Sequence, residues 1–225
     1  MLLNGNAELA TAENFYGTAS LIFRAWDGTV GQNGDTNINI IEFGGETAFS
    51  ERAVTVRQVV TAVNNPPQIL GGNETQVTCS NTETVFLAPD AQVLDIDSDG
   101  TIEFSFVGGS LNVNWNDEAS GSVNLNIDTS DNVFSISNQT LFLQGDELGN
   151  VSGRESNSLT ISEFKETATI EAIRNLIHHI VIAPPSNSVC IGGTVSFSLN
   201  DGGNVDANNN SLTNESPAVV TVATP

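Results

Sequence analysis

The chain has 225 residues, of which 6 are Lys or Arg and 27 are Asp or Glu, for a formal net charge of −21. This balance excludes the phosphate-neutralising surface that nucleic-acid binding requires, and it argues against attraction to anionic lipid headgroups. No run approaches the roughly 18 apolar residues of a membrane span, so no membrane insertion is expected, and Met1-Leu2-Leu3-Asn4-Gly5-Asn6 has neither the basic nor the apolar region of a signal peptide.

In chain order, the first strand begins at Gly17 and ends in Asp27-Gly28; after a polar loop, Val59-Val60-Thr61-Ala62-Val63 reads as the next. Asn64-Asn65-Pro66-Pro67 reads as a linker, because two prolines forbid helix continuation and favour an extended passage. It separates a front piece, residues 1–63, from a back piece, residues 68–225. The front piece is too short for a β-sandwich, which usually needs about 100 residues.

Beyond the linker, period-2 alternation dominates. Ile102/Phe104/Phe106, Leu111/Val113/Trp115, Val123/Leu125/Ile127, Leu141/Leu143, Leu159/Ile161 and Val195/Phe197/Leu199 each place apolar side chains on one face of a strand. Gly, Asn, Asp and Ser clusters punctuate them, at Gly108-Gly109, Asp117 to Gly121, Asp128 to Asn132 and Asp201 to Asn210. One segment breaks the rhythm: Glu163 to Ile177 sets Phe164, Ala168, Ala172 and Leu176 at helical spacing, which predicts a short helix over a sandwich end. The expected fold is all-β, an antiparallel sandwich with one short helix.

The chain also matches itself. Gly17-Thr18-Ala19-Ser20-Leu21-Ile22-Phe23, running on to Asp27-Gly28, resembles Gly193-Thr194-Val195-Ser196-Phe197-Ser198-Leu199 with Asp201-Gly202. A final strand follows each, Val59 to Val63 in front and Val219-Val220-Thr221-Val222 behind. The front piece therefore reads as the closing strands of one repeat and the back piece as a complete second repeat, which places Met1 inside a longer tandem chain.

At these residues the sequence becomes familiar. NFYGTASLIFRAWDGT, TAFS and VTAVNNPP in front, with VFLAPDAQVLDIDSDG, SLTISEFKETATIEAIRNLIHHIVI and TVSFSLNDGG behind, resemble the bacterial cadherin-like repeats of giant RTX-type surface adhesins. The likeness covers roughly residues 14–67, 84–106, 158–182 and 193–222, and is poor from Gly108 to Asn157, where this chain is longer. It implies an Ig-like, cadherin-like sandwich stiffened by Ca2+, secreted to the cell surface, with neighbouring repeats of the same chain as partners. The family's linker reads Asn-Asp before its proline; here Asn65 stands in place of the Asp and offers an uncharged oxygen.

The strongest local signal for chemistry is Asp95-Ile96-Asp97-Ser98-Asp99-Gly100. Calcium prefers several hard oxygen ligands, and carboxylates at i, i+2 and i+4 of a tight loop can converge on one ion. Glu103 is a further candidate ligand. The loop is not an EF-hand, because the twelfth position from Asp95 is Phe106 rather than Glu. Asp27 and Asp201, at equivalent strand ends, are candidate ligands at a domain junction together with Asn65, and each Asp reads equally well as a turn residue. More broadly, the acidity admits both a solvated surface and carboxylates placed to be neutralised by divalent cations.

Cys79 and Cys190, with 110 residues between them, read either as one long-range disulfide or as two buried thiols. Adjacent His178 and His179 read as packing or surface residues, and Trp26 and Trp115 as core rather than sugar-stacking platforms. No Gly-x-Ser-x-Gly, Gly-rich phosphate loop or His-Glu-x-x-His is present, so no enzyme is expected. The expected function is a calcium-binding structural or extender module of a large secreted adhesin. The alternative is a module that binds cell-surface glycan or peptide through the 108–157 segment, since insertions often carry function.

Overall fold

The computed structural model of the chain describes residues 10, 12, 15, 17–36, 38, 41–60, 65–71, 76–80, 82–95, 106–117, 121–183, 191–205, 211–213 and 218–224. The chain divides into two compact units, Met1–Ala62 and Val63–Pro225, so Asn65-Pro66-Pro67 belong to the second.

The front unit is an antiparallel ribbon of β1 (Gly17–Trp26) and β2 (Phe49–Val60), with a register irregularity between Arg24 and Trp26. Side chains of directly paired residues share a face. Leu21 pairs with Val56 and Phe23 with Val54, which makes one face apolar; Ser20 opposite Arg57 and Ile22 opposite Thr55 make the other mixed. The apolar face is open: Leu21, Phe23, Val54 and Val56 are 50%, 46%, 52% and 50% exposed. Among the described residues, burial is confined to one end, where Ala48 and Phe49 pack with Trp26 and Ile38. There the Arg24 guanidinium lies 3.8 Å from the Phe43 ring centroid and donates to the backbone carbonyls of Ser50 and Glu51.

The second unit is an all-β sandwich with one short helix. Its strands are β3 (Gln68–Leu70), β4 (Gln76–Thr78), β5 (Val85–Phe86), β6 (Gln92–Leu94), β7 (Ser110–Trp115), β8 (Asn124–Ile127), β9 (Phe134–Ser137), β10 (Thr140–Leu143), β11 (Asp146–Ser152) and β12 (Ser158–Ser162). After these come α1 (Ile170–His178), β13 (Ile180–Ala183), β14 (Gly193–Val205), β15 (Ser211–Thr213) and β16 (Ala218–Ala223). The large sheet runs β4-β16-β14-β7-β12-β11-β10-β9, with β15 also paired to β14; among the described strands only β4 with β16 is parallel. The smaller sheets are β5-β13-β8 and β3-β6, and α1 packs against β6.

The predicted alternations become the core. Leu111, Val113 and Trp115 on β7, Leu159 and Ile161 on β12, and Val195, Phe197 and Leu199 on β14 are all buried. Leu125 and Ile127 on β8, Ile180 and Ile182 on β13, and Ala172, Ile173, Leu176 and Ile177 on α1 join the same cluster. Ile102 and Phe104 lie outside the described residues.

The helix is shorter than its sequence pattern. Phe164 and Ala168 are buried as the spacing requires, yet α1 begins only at Ile170, capped by the Thr169 side chain accepting from the Ala172 N–H. Glu163 has φ 53°, which no right-handed helix contains. The Phe164 N–H donates to Gly109 O and the Lys165 N–H to Leu148 O, so this backbone serves neighbouring strands instead.

The internal match needs a correction of two residues. Gly193 pairs with Val222, and Gly17 pairs with Val60 rather than Ala62, so β2 is slipped by two against the alignment of the final strands. An even slip leaves every side chain on its original face.

Candidate metal centre

Asp95 follows β6 directly, and the strand explains its position. Val93 is buried, and a period of two carries Asp95 to the same side. Its carboxylate residue is accordingly only 6% exposed. The approach to this strand is held by His178, whose Nε2–H donates to Ala91 O at 2.7 Å. At the far end of the acidic loop, Phe106 is fully buried, and its N–H donates to Ala168 O at 2.8 Å. Both anchors of the loop are therefore fixed in the core. Asp97, Asp99 and Glu103 lie outside the described residues.

Asp201 is placed by the same rule. Val195, Phe197, Leu199 and Asp201 occupy successive odd positions of β14, and all four are buried, Asp201 completely. Gly202, at φ 69°, packs so closely on the turn before β7 that a Cβ there would stand 1.9 Å from the Gly109 nitrogen. Only glycine fits both that conformation and that approach.

Asn65, half-buried, leads into β3, whose Gln68 pairs with Leu94. An antiparallel register runs back from Gln68 as it runs forward from Leu94, which sets Asn65 and Asp95 at the same end of this ladder. Asp27 belongs to the other unit. It is exposed, and its Oδ1 accepts from the Thr29 N–H at 2.9 Å and the Thr29 hydroxyl at 2.7 Å. These bonds hold its carboxyl below the ordinary carboxylate value. With Gly28 at φ 82°, this is the geometry of an Asx turn. Among the described residues, no three His, Cys, Asp or Glu side chains are grouped to hold a metal ion.

Each cationic side chain of the second unit has a polar partner. Arg154 donates to Asn126 Oδ1 at 2.8 Å, Lys165 lies 3.5 Å from Glu147, and Arg174 lies 3.8 Å from Glu171.

Cys79 is buried and disulfide-bonded, with its sulfur 3.5 Å from Ile191 O; Cys190, the chain's other cysteine, lies outside the described residues. His179 is a packing residue, its Nδ1 2.7 Å from Asn175 O and its Nε2 3.0 Å from Asp131 Oδ2. Trp115 is core, and Trp26 donates its Nε1–H to Val30 O.

The described residues of 108–157 supply strands β7 to β11. Asn138-Gln139 and Gln144-Gly145, all at positive φ, are the two-residue turns of the β9-β10-β11 meander. Phe134, Leu141, Leu148 and Val151 from this segment are buried, and its described residues include no large exposed apolar side chain. Sequence reasoning missed Asp117, whose Oδ2 accepts from the Thr194 N–H at 2.7 Å and hydroxyl at 2.9 Å and so ties the end of β7 to the start of β14. No spacing in the sequence announces that pair.

No family model, no curated protein and no solved structure matches this chain.

Proposed function

We propose that the chain is a calcium-binding extender module of a large secreted surface adhesin, built from Ig-like, cadherin-like sandwiches in tandem. Its partners are then the neighbouring repeats of the same polypeptide, and it carries out no catalysis. The front ribbon, on this reading, is the closing strand pair of a further sandwich.

The observation that supports calcium is the burial of Asp95 and Asp201 at the ends of apolar strand faces. Calcium takes several hard oxygen ligands at once, and a carboxylate held in place at a strand end is a fixed one. Asp95 also opens an acidic run whose Asp97 and Asp99 follow at ligand spacing. Extracellular modules bind calcium at roughly 10⁻⁴–10⁻³ M, so the array stiffens outside the cell and stays soft inside.

Thermal unfolding with about 2 mM calcium and with excess chelator tests this. Linkage at a dissociation constant near 10⁻⁴ M gives about 2 kcal/mol, or about 5 °C for a domain of this size. The shift should disappear when Asp95, Asp97 and Asp99 are changed to Asn. An unchanged melting temperature in the parent chain would refute the calcium reading. The alternative, glycan or peptide binding by residues 108–157, finds less support, because the segment's apolar side chains are committed to the core.

A further inference from the structure

The ribbon of β1 and β2 resembles the pair β14 and β16 in sequence and in antiparallel pairing, with a register two residues different, but their surroundings differ at three places. Phe197 and Leu199 are fully buried, whereas Leu21 and Phe23 are about half exposed. A Cβ on Gly193 would meet the Trp115 ring at 2.4 Å, whereas a Cβ on Gly17 would meet nothing within 4 Å. Gly202 packs on Gly108 and Gly109, whereas Gly28, two residues further from Gly17 than Gly202 is from Gly193, also has open space around it.

In the second unit the contacts at both glycines come from a single stretch. Gly108-Gly109 turn against Gly202, β7 pairs along β14, and Trp115 closes over Gly193. The register is antiparallel, with Val195 opposite Trp115, Phe197 opposite Val113 and Leu199 opposite Leu111. In the front unit, among the described residues, the corresponding edge of β1 carries no strand.

We infer that the edge of β1 that carries no strand among the described residues is an acceptor for one antiparallel strand of the β7 kind, supplied by a further sandwich unit. That strand begins in a Gly-Gly turn, alternates apolar residues, and ends in an aromatic side chain that covers Gly17. Ala19 then faces the aromatic residue, Leu21 and Phe23 face the two aliphatic ones, and the Gly-Gly turn falls opposite Ala25 and Trp26. The inference rests on the tandem-repeat part of the proposed function and is independent of calcium. It goes beyond that reading by naming the edge, the direction, the register and the side-chain pattern of the strand. Backbone bonds along an open edge would supply affinity, and alternate side chains specificity.

The test adds a synthetic peptide of residues 106–117, FVGGSLNVNWND, to the intact chain with calcium chelated and follows amide hydrogen exchange. Every second amide of Gly17–Trp26 should exchange at least tenfold more slowly, with β14 unaffected. A peptide with Asp at the positions of Leu111 and Val113 should give no protection. Neither should a chain carrying Leu21→Asp and Phe23→Asp, in which exchange from residues 63–225 stays as in the parent. The inference fails if the peptide leaves β1 unprotected, or if protection follows chain concentration instead of peptide, which would make a second copy the occupant. Protection in chelator without a calcium-dependent melting shift would overturn only the calcium reading; the reverse would overturn only the strand acceptor.

Discussion

The Trp115 ring lies over Gly193 so closely that a Cβ built on the glycine would stand 2.4 Å from the ring carbons Cη2 and Cζ2, and 2.9 Å from Asp117 Oδ2. The backbone of Gly193 is not in the left-handed region, so contact rather than conformation requires glycine there. Gly193→Ala should therefore destabilise by about 1–3 kcal/mol through overpacking. Trp115→Phe frees part of the space, so the double variant should cost less than the sum of the two singles. Urea unfolding of the four chains, read as a double-mutant cycle, checks the coupling.

The start of α1 makes a prediction of sign. Glu163 lies in the left-handed region, which costs a non-glycine residue about 1–2 kcal/mol. Glu163→Gly should therefore be neutral or stabilising, although it removes the bond from Asn150 Nδ2 at 2.8 Å. Were Glu163 inside a helix, the same change would cost about 1 kcal/mol. Thr169→Ala, at the observed cap, should cost about 1 kcal/mol. Equilibrium denaturation of both variants decides between the two helix starts.

This boundary marks where sequence pattern stops being informative. Strands β7, β8, β12 and β14 were legible because each buries one face and keeps strict alternation. Strand β11 was not. A register irregularity opposite Leu141 and Phe142 lets both Leu148 and Gly149 turn inward, so its buried Leu148 and Val151 stand three apart and mimic no strand period. Phe164 and Ala168 misled in the opposite sense, since two residues four apart can be buried without a helix between them. At the candidate site, the acidic residues were legible as a run with ligand spacing. The burial of Asp95 and Asp201 follows from a different signal, the continuation of alternation past Val93 and Leu199.

Asp131 carries the clearest pH dependence. The hydrogen bond from His179, helped by the Val133 N–H, lowers its carboxyl below the ordinary 3.8. A carboxyl lowered on folding contributes stability that is fully present above its unfolded value and is lost as pH falls through the folded one. Asp131→Asn should thus be less stable than the parent above about pH 4, with the difference shrinking as pH falls below that value. Denaturation midpoints of both chains from pH 2 to pH 6 check the convergence. A difference that widens towards acid would contradict the assignment.

The disulfide at Cys79 predicts a large response to reductant. The loop to the chain's other cysteine, Cys190, encloses 110 residues, for which the chain-entropy account gives roughly 4–5 kcal/mol. Thiol titration of the denatured, unreduced chain should detect no free thiol, and prior reduction should release two. Unfolding of reduced, alkylated chain should begin at correspondingly lower denaturant.

Leu21 and Phe197 occupy the same position of equivalent strands, but one is half exposed and the other fully buried. Truncating Phe197 removes a ring from a closed core, so Phe197→Ala should cost the second unit about 3–5 kcal/mol. Leu21→Ala takes away a side chain that water already reaches, and surface changes of that kind usually fall within about 0.5 kcal/mol. The two units are separate compact bodies, so each transition is followed by amide exchange of its own strands rather than by one global melting temperature. The asymmetry should narrow when the β7-type peptide is bound, because Leu21 then loses its water. An unchanged cost of Leu21→Ala under saturating peptide would mean that the apolar face of the ribbon stays open even when its edge is filled.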